Sequence, residues 1–65
     1  DNIPKYFYLR GLGYACLKDL VKAINEFSIC TSLDKAYAPA YVQRAKCLFL
    51  VGDTDKAFSD LHTYM

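Results

Sequence analysis

Residues 7–14 read Phe7-Tyr8-Leu9-Arg10-Gly11-Leu12-Gly13-Tyr14, and residues 41–48 read Tyr41-Val42-Gln43-Arg44-Ala45-Lys46-Cys47-Leu48. The two stretches lie 34 residues apart, and the echo continues without a gap. Asp19, Lys22, Ala23 and Phe27 are answered by Asp53, Lys56, Ala57 and Leu61. Four of the pairs are identical: Arg10/Arg44, Asp19/Asp53, Lys22/Lys56 and Ala23/Ala57. The chemically similar pairs Phe7/Tyr41, Gly11/Ala45, Tyr14/Leu48 and Phe27/Leu61 carry the register further. A fixed period of this size marks a helical array, in which each unit buries its apolar face only against its neighbours. Arrays of this kind bind other proteins more often than they do chemistry.

The pattern resembles the tetratricopeptide repeat, whose signature is W-x2-L-G-x2-Y, then a small residue, an aromatic and a late proline. The first copy reads Phe7-x2-Arg10-Gly11-x2-Tyr14, then Ala23-x3-Phe27-x2-Cys30. The second reads Tyr41-x2-Arg44-Ala45-x2-Leu48, then Ala57-x3-Leu61-x2-Tyr64. The departures are Arg10 and Arg44 in place of Leu, Lys35 in place of Pro, and Tyr64 in place of a small residue. The resemblance implies an all-α fold of about four helices. Antiparallel helix-turn-helix units would stack as part of a right-handed superhelix, an α-solenoid. Residues 4–37 would form the first repeat. Residues 38–65 would form the second, cut short at its C-terminal end.

The periodicity is helical throughout. Pro4 suits a helix start, because its missing N–H is not needed there, and predicts a helix to about Leu17. Asp19 is placed to cap a second helix over Leu20–Leu33, where Leu20, Ala23, Ile24, Phe27 and Cys30 recur at three-and-four spacing. Pro39 opens a third helix to about Val51. Gly52 suits a left-handed cap, and Asp53 or Thr54 would start a fourth helix, Thr54 to about Tyr64. Lys18 stands where the second copy has Gly52, so the first turn is made without a glycine. Small residues at Gly11, Ala23, Ala45 and Ala57 are expected where helices cross. Phe7, Tyr14, Phe27, Tyr41, Leu48 and Leu61 would fill the space beside those crossings. Gly13, inside the first helix, costs ~1 kcal/mol of helix propensity; close approach of another helix would account for it.

Sixty-five residues make one small domain at most. A chain of that length buries only ~60% of the surface it exposes unfolded. Its composition is 54% hydrophobic, with six Tyr and four Phe, so much apolar surface must meet something beyond these residues. A net charge of +1 gives no field to steer nucleic acid or an anionic membrane. No apolar run approaches the ~20 residues of a membrane span. Cys16, Cys30 and Cys47 are odd in number and lack C-x-x-C spacing, which reads as three free, mostly buried thiols. That points to the cytoplasm or another reducing compartment. Neither a metal site nor another cofactor site is expected.

Catalysis has no constellation here. His62 is the lone histidine, on the outer side of the last helix, with no Ser or Cys placed to use it. The carboxylates read as scattered caps and surface charges. Gly11-Leu12-Gly13 lies mid-helix, outside the strand–turn–helix setting of a phosphate loop. The expected function is therefore a non-catalytic protein–protein interaction module, a scaffold or adaptor piece.

The resemblance implies a concave groove lined by the first helix of each repeat. Its residues here would be Lys5, Tyr8, Leu12, Ala15 and Cys16, then Val42, Gln43, Lys46, Phe49 and Leu50. Of these, Lys5, Tyr8, Leu12, Gln43, Lys46 and Phe49 are the leading candidates to touch a peptide partner. Chaperone-binding members of the family hold a C-terminal carboxylate with a Lys and two Asn. The matching positions are Tyr8, Leu12 and Gln43, which argues against a heat-shock carboxylate clamp. A pentatricopeptide-like reader of single-stranded RNA is the main alternative, weakened by the period of 34 and the neutral charge. Docking repeats of a larger enzyme are a further one. The final helix carries Leu61, Tyr64 and Met65, so self-association through terminal helices is also expected.

Overall fold

The computed structural model describes residues 2–63, which form four α-helices: α1 (Ile3–Cys16), α2 (Leu20–Leu33), α3 (Ala38–Leu50) and α4 (Thr54–Thr63). Among the described residues there is no strand. The fold is all-α, with helix limits close to those the sequence predicts. Tyr64 and Met65 lie outside the described residues.

The helix starts follow from local chemistry. The Lys5 amide donates to Asn2 Oδ1 at 3.3 Å, the Lys22 amide to Asp19 Oδ1 at 3.4 Å, and the Lys56 amide to Asp53 Oδ1 at 3.4 Å. Each carboxylate or amide oxygen satisfies a backbone donor with no partner inside the helix. The first helix of each half ends in the same way. The Asp19 amide donates to the Tyr14 carbonyl at 2.9 Å, and the Asp53 amide donates to the Leu48 carbonyl at 2.8 Å. The residue before each is left-handed, Lys18 at φ 65° and Gly52 at φ 94°. Glycine takes that conformation freely, whereas a side chain at Lys18 is strained.

Each helix packs on the next in the chain, and α1 also approaches α3. Among the described residues, helix α4 approaches only α3. The larger buried cluster joins Ala23, Phe27 and Cys30 of α2 to Ala40 and Cys47 of α3, with Tyr8, Leu12 and Tyr37 among the residues packed against it. The smaller cluster is Ala45, Leu48 and Ala57, flanked by Ile24 and Leu61. Gly11 is buried because the Phe27 ring lies over it: a Cβ there would stand 2.5 Å from the ring. Gly13 has nothing within 4 Å of the same construction, so the close helix expected there is absent among the described residues. Burial raises the thiol pKa of Cys30, with the nearby Asp34 charge adding to it, and burial alone raises that of Cys47. All three thiols are free, and Cys30 and Cys47 are buried while Cys16 is exposed. No helix among the described residues is long and apolar enough to cross a membrane.

Candidate functional site, an apolar groove between the last two helices

Helix α3 turns Val42, Ala45, Lys46 and Phe49 to one side, at the three-and-four spacing of a helix face. Helix α4 meets them with Ala57, Phe58 and Leu61, and together they line a pocket of about 260 Å³. Its floor is the buried pair Ala45 and Ala57. Its rim is open, since Phe49 is 60% exposed and Phe58 64%. Large aromatics standing in water beside a concavity lose free energy that a partner could recover by covering them.

The expected groove residues divide. Val42, Lys46 and Phe49 come together in this pocket. Leu50 and Cys16 are exposed, and Gln43 and Ala15 are half-buried. Tyr8 is half-buried instead, with its ring 5.9 Å from that of Phe27 and 5.4 Å from that of Tyr37. Leu12 also packs on the larger cluster. These two side chains are taken up by the core that α2 and α3 build. Lys5 is exposed near the start of α1. No α1 residue lines this pocket, which lies between α3 and α4. Phe58 escapes a reading by family position; its signal is a large apolar residue beside Ala57 and three before Leu61 on a short helix.

The repeat-packing positions lie as follows. Gly11, Ala23, Phe27, Ala45, Leu48 and Ala57 are buried, and Phe7, Tyr14, Tyr41 and Leu61 are half-buried.

A polar joint borders the groove. Arg44 Nε and Nη2 donate to the two carboxylate oxygens of Asp60, both at 2.6 Å. Its Nη1 donates to Ser28 Oγ at 3.2 Å and Thr31 Oγ1 at 3.3 Å. One guanidinium thus ties α2 and α4 to α3. The Asp60 hydrogen bonds raise the Arg44 pKa, and they outweigh the lowering effect of its burial. Arg10 meets Glu26 in the same register, with Nε 3.4 Å from Oε1. The two pairs are offset from each other by 34 residues, which is the missed signal: Glu26 and Asp60 are acids in equivalent positions. The carboxylates are therefore not all caps and surface charges. Among the described residues, no three His, Cys, Asp or Glu side chains gather as a metal site. His62 is exposed.

No family model, curated protein or solved structure matches this chain.

Proposed function

We propose that the chain is a non-catalytic protein-interaction module of two tetratricopeptide-like repeats, residues 4–37 and 38–65, stacked as a piece of right-handed α-solenoid. Its partner segment is an amphipathic helix that lies in the groove of α3 and α4. The observation that carries this reading is the apolar pocket rimmed by exposed Phe49 and Phe58. Helix-in-groove recognition uses apolar anchors at i, i+3 or i+4, and i+7. Lys46 on the pocket wall favours a partner with an acidic group beside those anchors.

The recurrence of the capping turns and of the Arg–acid pairs at the same offset supports the repeat reading. An apolar pocket and a net charge of +1 favour protein over RNA. Free Cys16, Cys30 and Cys47 fit a reducing compartment. Panning a displayed library of amphipathic helices against the chain tests the groove. Selected helices should shift the amide resonances of Val42, Lys46, Phe49 and Phe58, and Phe58→Ser should abolish their binding. Helices that bind equally well to Phe58→Ser, or a library that yields none, would remove the groove.

A further inference from the structure

The pocket has a filled counterpart inside the same molecule. Moved back by 34 positions, Val42, Ala45, Lys46 and Phe49 fall on Tyr8, Gly11, Leu12 and Ala15. Ala57, Phe58 and Leu61 fall on Ala23, Ile24 and Phe27. Six of these seven counterparts belong to the larger cluster or pack against it, and the seventh, Gly11, is buried beneath Phe27. What closes that first pocket is α3 with the residue that precedes it, through Tyr37, Ala40 and Cys47. Arg44 then locks the joint by reaching Ser28 and Thr31 on α2.

The positions on α1 that match the closing residues of α3 are exposed. Tyr37, Ala40, Arg44 and Cys47 correspond to Ile3, Tyr6, Arg10 and Gly13. Ala40 is 0% exposed and Cys47 3%, whereas Tyr6 is 54% exposed and Ile3 56%. Gly13 faces open space. With no helix among the described residues on that side, Arg10 turns its Nη1 and Nη2 back to Tyr6 Oη and Tyr14 Oη, both at 3.4 Å. These four residues follow three-four-three spacing and form one stripe along the helix.

We propose that the first occupant of the α3–α4 groove is α1 of a second copy of this chain, joined head to tail. The proposal rests on the groove reading above and names a partner for it. The chain carries both halves of its own internal joint, the open socket at α3–α4 and the uncovered ridge on α1. The two faces are not copies of the internal joint in size: Tyr6 on the ridge is larger than Ala40, and the socket is wider at Val42 and Leu61 than at Tyr8 and Phe27 but carries the larger Phe49 and Phe58 in place of Ala15 and Ile24. Gly13, smaller than Cys47, lets the helices approach closely there. The joint is heterologous, so each added copy leaves a fresh socket and a fresh ridge, and assembly continues without closing.

Sedimentation equilibrium across a wide concentration range tests this with two variants, Tyr6→Glu on the ridge and Phe58→Glu at the socket. Both side chains are exposed, and helical circular dichroism reports that each variant folds. The wild type should show a mass that keeps rising with concentration. Each variant alone should associate more weakly by upwards of ~10-fold. Mixed together, they should recover a one-to-one pair, because the ridge variant offers a socket and the socket variant offers a ridge. Tyr6→Ala and Phe58→Ala in the same design serve if a glutamate unfolds its chain. A monomeric wild type, or association that both single variants retain, overturns the proposal. Tyr6→Glu keeps its socket but cannot self-pair, so the helix library applied to that variant reports on the groove independently.

Discussion

Arg10 and Arg44 hold equivalent places 34 residues apart, yet their surroundings differ. Arg44 spends four hydrogen bonds on α2 and α4, and its side chain is 19% exposed. Arg10 has one loose contact with Glu26 and two long bonds to tyrosines on its own helix, and it is 43% exposed. Among the described residues, buried Glu26 Oε1 has no hydrogen-bond partner. The hydrogen bonds to Tyr14 and Tyr6, then the Glu26 charge, still raise the Arg10 pKa. The same residue in the same register becomes a joint where a helix lies on both sides and a surface charge where one side is open. Repeat position sets which groups face each other; the neighbour decides what they are worth.

The hydrophobic counterparts should separate most. Phe27 is fully buried between Gly11 and the α3 residues, whereas Leu61 is only half-covered at the groove. Phe27→Ala is expected to cost about 3–5 kcal/mol, enough to unfold a domain of this size at room temperature. Leu61→Ala should cost about 1 kcal/mol, because part of its surface already meets water. Thermal melts followed by circular dichroism would compare them. Equal losses would mean that both halves are packed to the same depth.

The ion pairs should separate next. Asp60→Ala leaves the Arg44 guanidinium desolvated and unpaired, which is expected to cost about 2–3 kcal/mol. Glu26→Ala removes a partner from an arginine that water already screens, for a loss under about 1 kcal/mol. Urea titrations of both variants measure the difference. A Glu26 loss as large as the Asp60 loss would break the contrast on which the open-ridge reading depends.

The two turns differ by one residue type at one strained dihedral. Lys18→Gly should stabilise the chain by about 0.5–1 kcal/mol, since glycine takes φ 65° without a steric penalty. Gly52→Ala should destabilise it by a similar amount at φ 94°. If Lys18→Gly lowers the melting temperature instead, the lysine side chain makes a contact that outweighs its strain.

Elements and register were legible because they follow local rules. Pro4, Asp19, Pro39 and Asp53 mark helix starts by chemistry that involves only near neighbours, and the period of Ala23, Phe27, Ala57 and Leu61 marks a buried face. The site was legible in part. Val42, Lys46 and Phe49 share a helix face, which spacing alone predicts. That Phe58 completes their pocket, and that Tyr8 and Leu12 are taken up by the core, depends on how each helix crosses its neighbours, α4 over α3 for the first and α1 and α2 against α3 for the second. Local periodicity carries no information on those crossings. The Arg44–Asp60 pair was hidden for a related reason: acids sixteen residues from an arginine look like surface charges until a turn brings two helices together. Only the repeat offset, applied to acids as well as to apolar residues, reveals it.

The smallest contrast is between exposed and buried thiols, and it carries a pH dependence. Cys30 and Cys47 have folded-state pKa values above the ordinary value, because burial disfavours the thiolate. A group with a raised folded pKa contributes nothing to the pH dependence below its unfolded pKa, about 8.5 for a cysteine. As pH climbs past that value, the unfolded chain releases its thiol protons while the folded chain keeps them, so stability falls. Tyr37, whose pKa is raised by burial first and then by the neighbouring Cys30, Tyr8 and Asp34, acts in the same direction further up the scale. Urea midpoints should therefore be flat across neutral pH with respect to these groups and decline above about pH 9. Cys30→Ala with Cys47→Ala should flatten the early part of that decline. A thiol reagent at neutral pH supplies the kinetic version, labelling exposed Cys16 at once and the buried pair only as the chain opens. Labelling of all three at one rate would mean that α2 and α3 separate as readily as the exposed end of α1 frays.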